Sequence, residues 1–125
     1  MRYLGKRYGD EKEQLFESAD IFVFPTYYSN ECFPLVLLEA MQHELPCVTT
    51  DEGGIRDIVV KDSGFTVHGT TPQETAEKTA DALEKLIVNA DLRKKMGESG
   101  RKKLMKEFTE GVFEENMLKI LGNVL

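Results

Sequence analysis

Short apolar runs alternate with longer stretches of helical spacing along this chain. Tyr3-Leu4, ahead of Gly5, reads as the end of a short strand. Asp10 to Ala19 predicts a helix: Asp10 and Glu13 have capping-box spacing, and Leu15, Phe16 and Ala19 make an apolar face. Ile21 to Phe24 is apolar on both faces and Pro25 stops it, the pattern of an interior strand in a parallel sheet. A polar loop, Thr26 to Glu31, leads to a helix over Pro34 to His43. Proline suits that helix's first turn, where no backbone donor is needed. Leu35, Val36, Leu37, Leu38, Ala40 and Met41 make it apolar nearly all round, so it is predicted to be buried.

Pro46 to Thr49 is a second strand, Asp51 to Gly54 a loop, Ile55 to Val60 a short helix, and Gly64 to Val67 the last strand. Thr71-Pro72-Gln73-Glu74 supplies a cap, a first-turn proline and a capping-box glutamate for the next helix. Ala76, Ala80, Leu83 and Ile87 follow helical spacing there. Asp91 can cap a further helix with Leu92, Met96, Leu104 and Phe108 on one face. Thr109 can cap the last, whose core side is Phe113, Met117, Ile120 and Leu121. This alternation predicts an α/β fold, a Rossmann-like parallel sheet covered by helices on both faces, in one domain over residues 1–125.

Composition narrows the function. The chain has 125 residues, 41% hydrophobic and 30% charged, enough to bury a core and too ordered in pattern for a disordered tail. With 16 basic against 22 acidic residues the net charge is −6, which disfavours nonspecific nucleic-acid binding. Cys32 and Cys47 lie in apolar surroundings without metal-ligand spacing, so they read as reduced thiols in a cytosolic protein and not as nucleophiles. No apolar run is long enough to span a bilayer, and Met1-Arg2-Tyr3 opens no signal peptide. Arg93, Lys94, Lys95, Arg101, Lys102, Lys103 and Lys106 read as a solvated helix face, and His43 and His68 as structural.

Ligands of open α/β sheets sit beyond the carboxyl ends of the strands. The loops Pro25 to Phe33 and Thr49 to Gly54 fall there, each running into a helix whose N-terminal amides favour anions. Gly53-Gly54 lets backbone approach a ligand closely. Two carboxylates frame the first loop and its helix. Eight residues of helix rise about 12 Å, so Glu31 and Glu39 stand too far apart for a hydrolytic pair, which needs about 5 to 9.5 Å. That spacing suits two hydroxyl-bearing groups of one extended ligand. Glu39 is the sharper clue, because a carboxylate on an apolar helix is costly unless it is paired.

Glu31-Cys-Phe-Pro-Leu-Val-Leu-Leu-Glu39-Ala40 resembles the E-x7-E motif of retaining GT-B glycosyltransferases of family 4, also called group 1. Ser18-Ala-Asp20-Ile-Phe-Val-Phe-Pro25 ahead of it, Leu45-Pro-Cys-Val-Thr-Thr-Asp-Glu-Gly-Gly-Ile55 after it, Gly64-Phe65, Met96-Gly97 to Gly100-Arg101 and Phe108-Thr109 follow in the family's order. A lone E-x7-E is weak; the ordered set spans nearly the whole chain.

The resemblance implies part of a C-terminal, donor-binding domain. Glu31 then contacts the donor sugar and is the candidate catalytic residue, while Glu39 holds the ribose of the nucleotide. Backbone amides of Phe33, Leu35 and Val36 face the sugar or diphosphate, and Gly53 and Gly54 flank the pocket. Pro34 stands where the family often has glycine, which removes one donor. The partner implied is a nucleotide-diphosphate sugar, with no cofactor and no metal, and sugar transfer proceeds with retention, in polysaccharide or glycoconjugate synthesis. The family's diphosphate-binding Arg/Lys pair, glycine-rich loop and acceptor domain lie upstream of the matched part. Lys6 and Arg7 are misplaced to replace the pair. The chain is therefore expected to be half a donor domain, binding donor weakly or not at all and transferring none. The family sheet order 3-2-1-4-5-6, with strands 1 and 2 lacking, leaves the Ile21 to Phe24 edge exposed. Cover by Tyr3-Leu4, or self-association through that edge, is expected. The alternative is a non-catalytic binding or oligomeric interaction module. A receiver-like or flavodoxin-like domain is disfavoured by the placement of Asp20 and Asp51. The full-length protein is expected in the cytoplasm or peripheral to the membrane.

Overall fold

The computed structural model of the chain describes residues 2–26, 35–52, 55–59, 62–107 and 111. In chain order the elements are α1 (Asp10–Ser18), β1 (Phe22–Phe24), α2 (Leu35–Gln42), β2 (Cys47–Thr50), α3 (Ile55–Ile58), β3 (Gly64–Val67), α4 (Pro72–Ile87) and α5 (Ala90–Glu107). The strands form a three-stranded sheet in the order β1-β2-β3. Both pairings are parallel: Phe22 aligns with Cys47, and Cys47 in turn with Gly64.

All four residues of β2 are buried. Side chains alternate across a strand, so β2 feeds two cores. Cys47 joins Phe16, Leu37, Ala40, Met41, Leu45, Ile55, Ile58 and Leu104 on one face. Val48 joins Val67, Ala82, Leu86 and Met96 on the other. Because β1, β2 and β3 run parallel, α2 must return antiparallel to them, which sets its first turn at the carboxyl edge of the sheet.

Helix α2 ends in a Schellman motif. Leu45 N donates to Ala40 O at 3.1 Å and Glu44 N to Met41 O at 3.1 Å. Glu44 occupies the left-handed position, φ 57°, where glycine is usual. Helix α5 crosses this turn so closely that a Cβ on Gly97 would sit 1.9 Å from the Glu44 carbonyl oxygen. The Met96-Gly97 and Gly100 pattern is thus a packing device, with Gly100 against Ser63 and Met41.

Several expectations need correction. Tyr3-Leu4 forms no strand, and Tyr3 is 94% exposed, so it does not cover the β1 edge. Strand β1 is an outer strand of this sheet, not an interior one, and Val23 is 37% exposed. No capping box starts α1: Gly9 precedes it without a side-chain cap, and Glu13 N donates to Gly9 O at 3.1 Å. Only Phe16 of the predicted α1 face is buried. Thr75, Ala82 and Leu86 are the buried positions of α4, and Ala76, Ala80 and Ile87 face outward. Helix α5 is capped by Asn89, whose Oδ1 accepts from Leu92 N at 3.0 Å, so Asp91 lies inside the helix. The helix predicted after Thr109, and Phe108 with it, fall outside the described residues.

At α4 the cap forms as read, with Thr71 Oγ1 accepting from Glu74 N at 3.1 Å. The Glu74 carboxylate reaches one residue further back than a capping box, accepting from Thr70 N at 3.0 Å and Thr70 Oγ1 at 2.6 Å. The Thr70 hydroxyl first, then the Thr70 amide and Lys78, hold the Glu74 carboxyl down from 4.5 to about 2. A carboxyl lowered in the folded state stabilises fully above pH 4.5 and loses that contribution as pH falls to about 2. Melting temperatures across that window should fall less steeply for Glu74→Gln than for the parent chain. Gly97→Ala should destabilise by about 1–3 kcal/mol in urea unfolding, since the Glu44 turn must move to admit the methyl.

Candidate functional site

The carboxyl edge gathers the ends of β1, β2 and β3 and the first turn of α2. Two threonines of β2 stitch it to β1. Thr49 Oγ1 donates to Phe24 O at 2.7 Å, and Thr50 Oγ1 donates to Thr26 O. These bonds fix the point where the chain leaves β1 toward α2. On the other side Asp51 N donates to Val67 O at 3.2 Å, tying the departure from β2 to the end of β3.

Glu39 lies about 6 Å along the axis from the first residue of α2, one turn below the edge. Its neighbours Leu37, Ala40 and Met41 are buried, while Glu39 itself stays at the margin of the core. The carboxylate is paired: Lys12 Nζ of α1 lies 2.9 Å from Glu39 Oε2, with side chains 42% and 36% exposed. Sequence reasoning missed Lys12. Its partner sits on another helix across β1, so no local spacing marks the pair. Leu35, at the first position of α2, is 67% exposed, and Val36 is half-buried against the first core. Both therefore sit where the first-turn amides point toward the edge. Glu31, Phe33, Gly53 and Gly54 lie outside the described residues, as do Cys32 and Pro34.

Other polar groups have structural partners. His43 Nε2 lies 3.2 Å from Glu13 Oε1, and its ring stacks on Phe16 at 5.4 Å. Cys47 is buried, and burial pushes its thiol up to about 12, which leaves it protonated and unreactive. Within the basic run, Arg93 Nη1 donates to Leu86 O at 2.7 Å and Ile87 O at 2.9 Å, capping the end of α4. Arg101 Nη1 donates to Gln42 O at 3.4 Å at the end of α2. Both arginines neutralise helix C-termini. A groove of ≈ 630 Å³ runs between Glu44 and α5, beside Glu98, Arg101, Lys102 and Met105. It lies past the C-terminal end of α2, away from the edge where the helix begins, so it does not serve the carboxyl edge. Among the described residues no group of three His, Cys, Asp or Glu side chains could hold a metal ion. None of the described helices is long and apolar enough to cross a membrane.

The family described as glycosyl transferases group 1 matches residues 1–103. The chain belongs to this family. It is 35% identical over 111 residues to the capsular polysaccharide biosynthesis glycosyltransferase CapM of Staphylococcus aureus, covering 88% of this chain and 28% of that protein. It is 40% identical over 99 residues to a D-inositol 3-phosphate glycosyltransferase of Corynebacterium jeikeium (strain K411), covering 78% of this chain and 22% of that one. Among solved structures, sucrose-phosphate synthase from Thermosynechococcus elongatus superposes with a TM-score of 0.72 at 22% identity, over 88% of this chain and 26% of that one. Anabaena HepE, solved in complex with UDP, superposes with a TM-score of 0.70 at 20% identity, over 88% of this chain and 29% of that one. The group 1 chain thus spans less than a third of these relatives. Its parallel sheet with covering helices is part of the C-terminal half of a GT-B glycosyltransferase fold.

Proposed function

We propose that the chain is donor-side machinery of a glycosyltransferase that moves a sugar from a nucleotide-diphosphate sugar to an acceptor with retention of configuration. The observation that carries this reading is Glu39: an accessible carboxylate on an otherwise apolar helix, one turn below the carboxyl edge of a parallel sheet. In this role Glu39 accepts the ribose hydroxyls, and Glu31 meets the donor sugar as the catalytic-site carboxylate. The first-turn amides of α2, at Leu35 and Val36, with Phe33 ahead of them, face the sugar or diphosphate. Gly53 and Gly54 flank the pocket. Stabilisation of the leaving diphosphate supplies the main rate term in such transfer. The UDP of HepE and the polysaccharide role of CapM support a nucleotide sugar and a polysaccharide or glycoconjugate product. Such a full-length enzyme works in the cytoplasm or at the membrane surface. Taken alone, the 125-residue chain is expected to bind donor weakly or not at all and to transfer no sugar.

A second reading, an interaction module that self-associates, draws on the unequal edges of the sheet. Two lysines of α4 lie beside β3: Lys85 Nζ lies 5.7 Å over the Phe65 ring and Lys78 bonds His68 O. Charge of that kind blocks edge pairing. At the β1 edge Phe22 N donates inward to Pro46 O, so Val23 turns its backbone outward with an exposed valine side chain.

In a full-length enzyme carrying this sequence, Glu39→Gln should raise the donor Kd about tenfold or more, measured by calorimetry, as expected for losing hydrogen bonds to a charged acceptor. Unchanged affinity contradicts the donor reading. If the edge reading holds, sedimentation equilibrium of the chain gives a dimer that Val23→Lys converts to monomer; a parent chain that stays monomeric contradicts it.

A further inference from the structure

Resting on the reading of Glu39 as the ribose acceptor, we infer that Lys12 is a positioning residue for that carboxylate: its ammonium holds one oxygen of Glu39 so that the rest of the carboxylate is presented to the vicinal hydroxyls of a nucleotide ribose. The pair is well placed for this. Lys12 Nζ takes Glu39 Oε2 at 2.9 Å, while an ionised carboxylate offers about four lone-pair sites over its two oxygens. Among the described residues Oε1 has no ion-pair partner, which leaves its sites for a ligand. A glutamate with three rotatable bonds, half exposed, otherwise loses rotamer freedom when a ligand binds. Anchoring it beforehand removes part of that cost.

Lys12 is itself held in register. Phe16 of α1 is buried in the first core and stacks on His43, the residue that follows α2, and Glu13 pairs with the same His43 at 3.2 Å. Residues 12, 13 and 16 of α1 thus meet Glu39 of α2 and His43 just past its end, one turn apart. Helix α1 cannot slide along α2 without breaking the Phe16 contact. Lys12 lies in the first turn of α1, which runs back from the carboxyl edge toward β1. With 42% and 36% of the two side chains exposed, the pair is open to solvent and not deep between the helices.

The test is a calorimetric titration of a full-length enzyme carrying this sequence with UDP, ADP and GDP, repeated with the 2′,3′-dideoxy form of whichever binds. The parent enzyme should prefer the ribose form. Lys12→Met should lower that preference about threefold, the size of a half-exposed ion pair, while leaving the Kd of the dideoxy form unchanged. Lys12→Arg should restore the preference. Glu11→Gln, which removes the exposed Arg7–Glu11 pair on the same helix, should leave it intact. A structural role alone would weaken both nucleotide forms together or lower the melting temperature only. If the parent discriminates and Lys12→Met discriminates equally well, the role of Lys12 is overturned and that of Glu39 survives. If the parent binds none of the three nucleotides, or binds ribose and dideoxy forms alike, the ribose role of Glu39 falls and the inference with it.

Discussion

Everything in this fold depends on burying β2 on both faces. A strand buried on both sides must have every backbone donor and acceptor taken by neighbouring strands. Here β1 and β3 take them, both parallel to it. Parallel neighbours require long crossovers, and those crossovers become the covering helices. Alternate side chains of β2 then divide the interior into two cores, with Cys47 toward α2 and Val48 toward α4. The same constraint creates the candidate site. Helices that return to restart a parallel strand begin at the carboxyl edge, so the first turn of α2 and the loops around it converge there.

The α1–α2 seam links this architecture to chemistry. A hydrophobic anchor, Phe16, and a half-buried polar neighbour, His43, set the helix register, and the Lys12–Glu39 pair rides on that register. An exposed ion pair contributes little to stability, at most about 1 kcal/mol. Its proposed value in this chain is to orient the Glu39 carboxylate. Two arginines do comparable work elsewhere by closing the C-terminal ends of α2 and α4, which accounts for part of the basic run without invoking a binding surface.

Much of this was legible in the sequence. β3 was read to the residue as Gly64 to Val67, and the structure adds that a Cβ at Gly64 would meet Cys47 O at 2.1 Å. Thr71 and Pro72 marked the start of α4 because both act locally. Failures cluster where tertiary contacts decide. Alanine spacing on α4 pointed to the wrong face, since alanine is content on either side and the sheet selected Thr75, Ala82 and Leu86. Glu13, read as a capping residue, is engaged by His43 just past the end of α2. The double apolar face of Ile21 to Phe24 predicted an interior strand, and in this sheet it is the outer one. At the candidate site, Glu39 stood out in the sequence as a charge on an apolar helix, whereas Lys12 did not, because its partner is distant in sequence.

The central claim is that Glu39 marks a nucleotide-ribose site at the carboxyl edge. A crystal structure of the chain with a bound nucleotide-diphosphate sugar tests it most directly. The account predicts ribose hydroxyls within hydrogen-bonding distance of the Glu39 carboxylate and the diphosphate near the first turn of α2. A nucleotide seated elsewhere, with Glu39 still bonded to Lys12 alone, would contradict it.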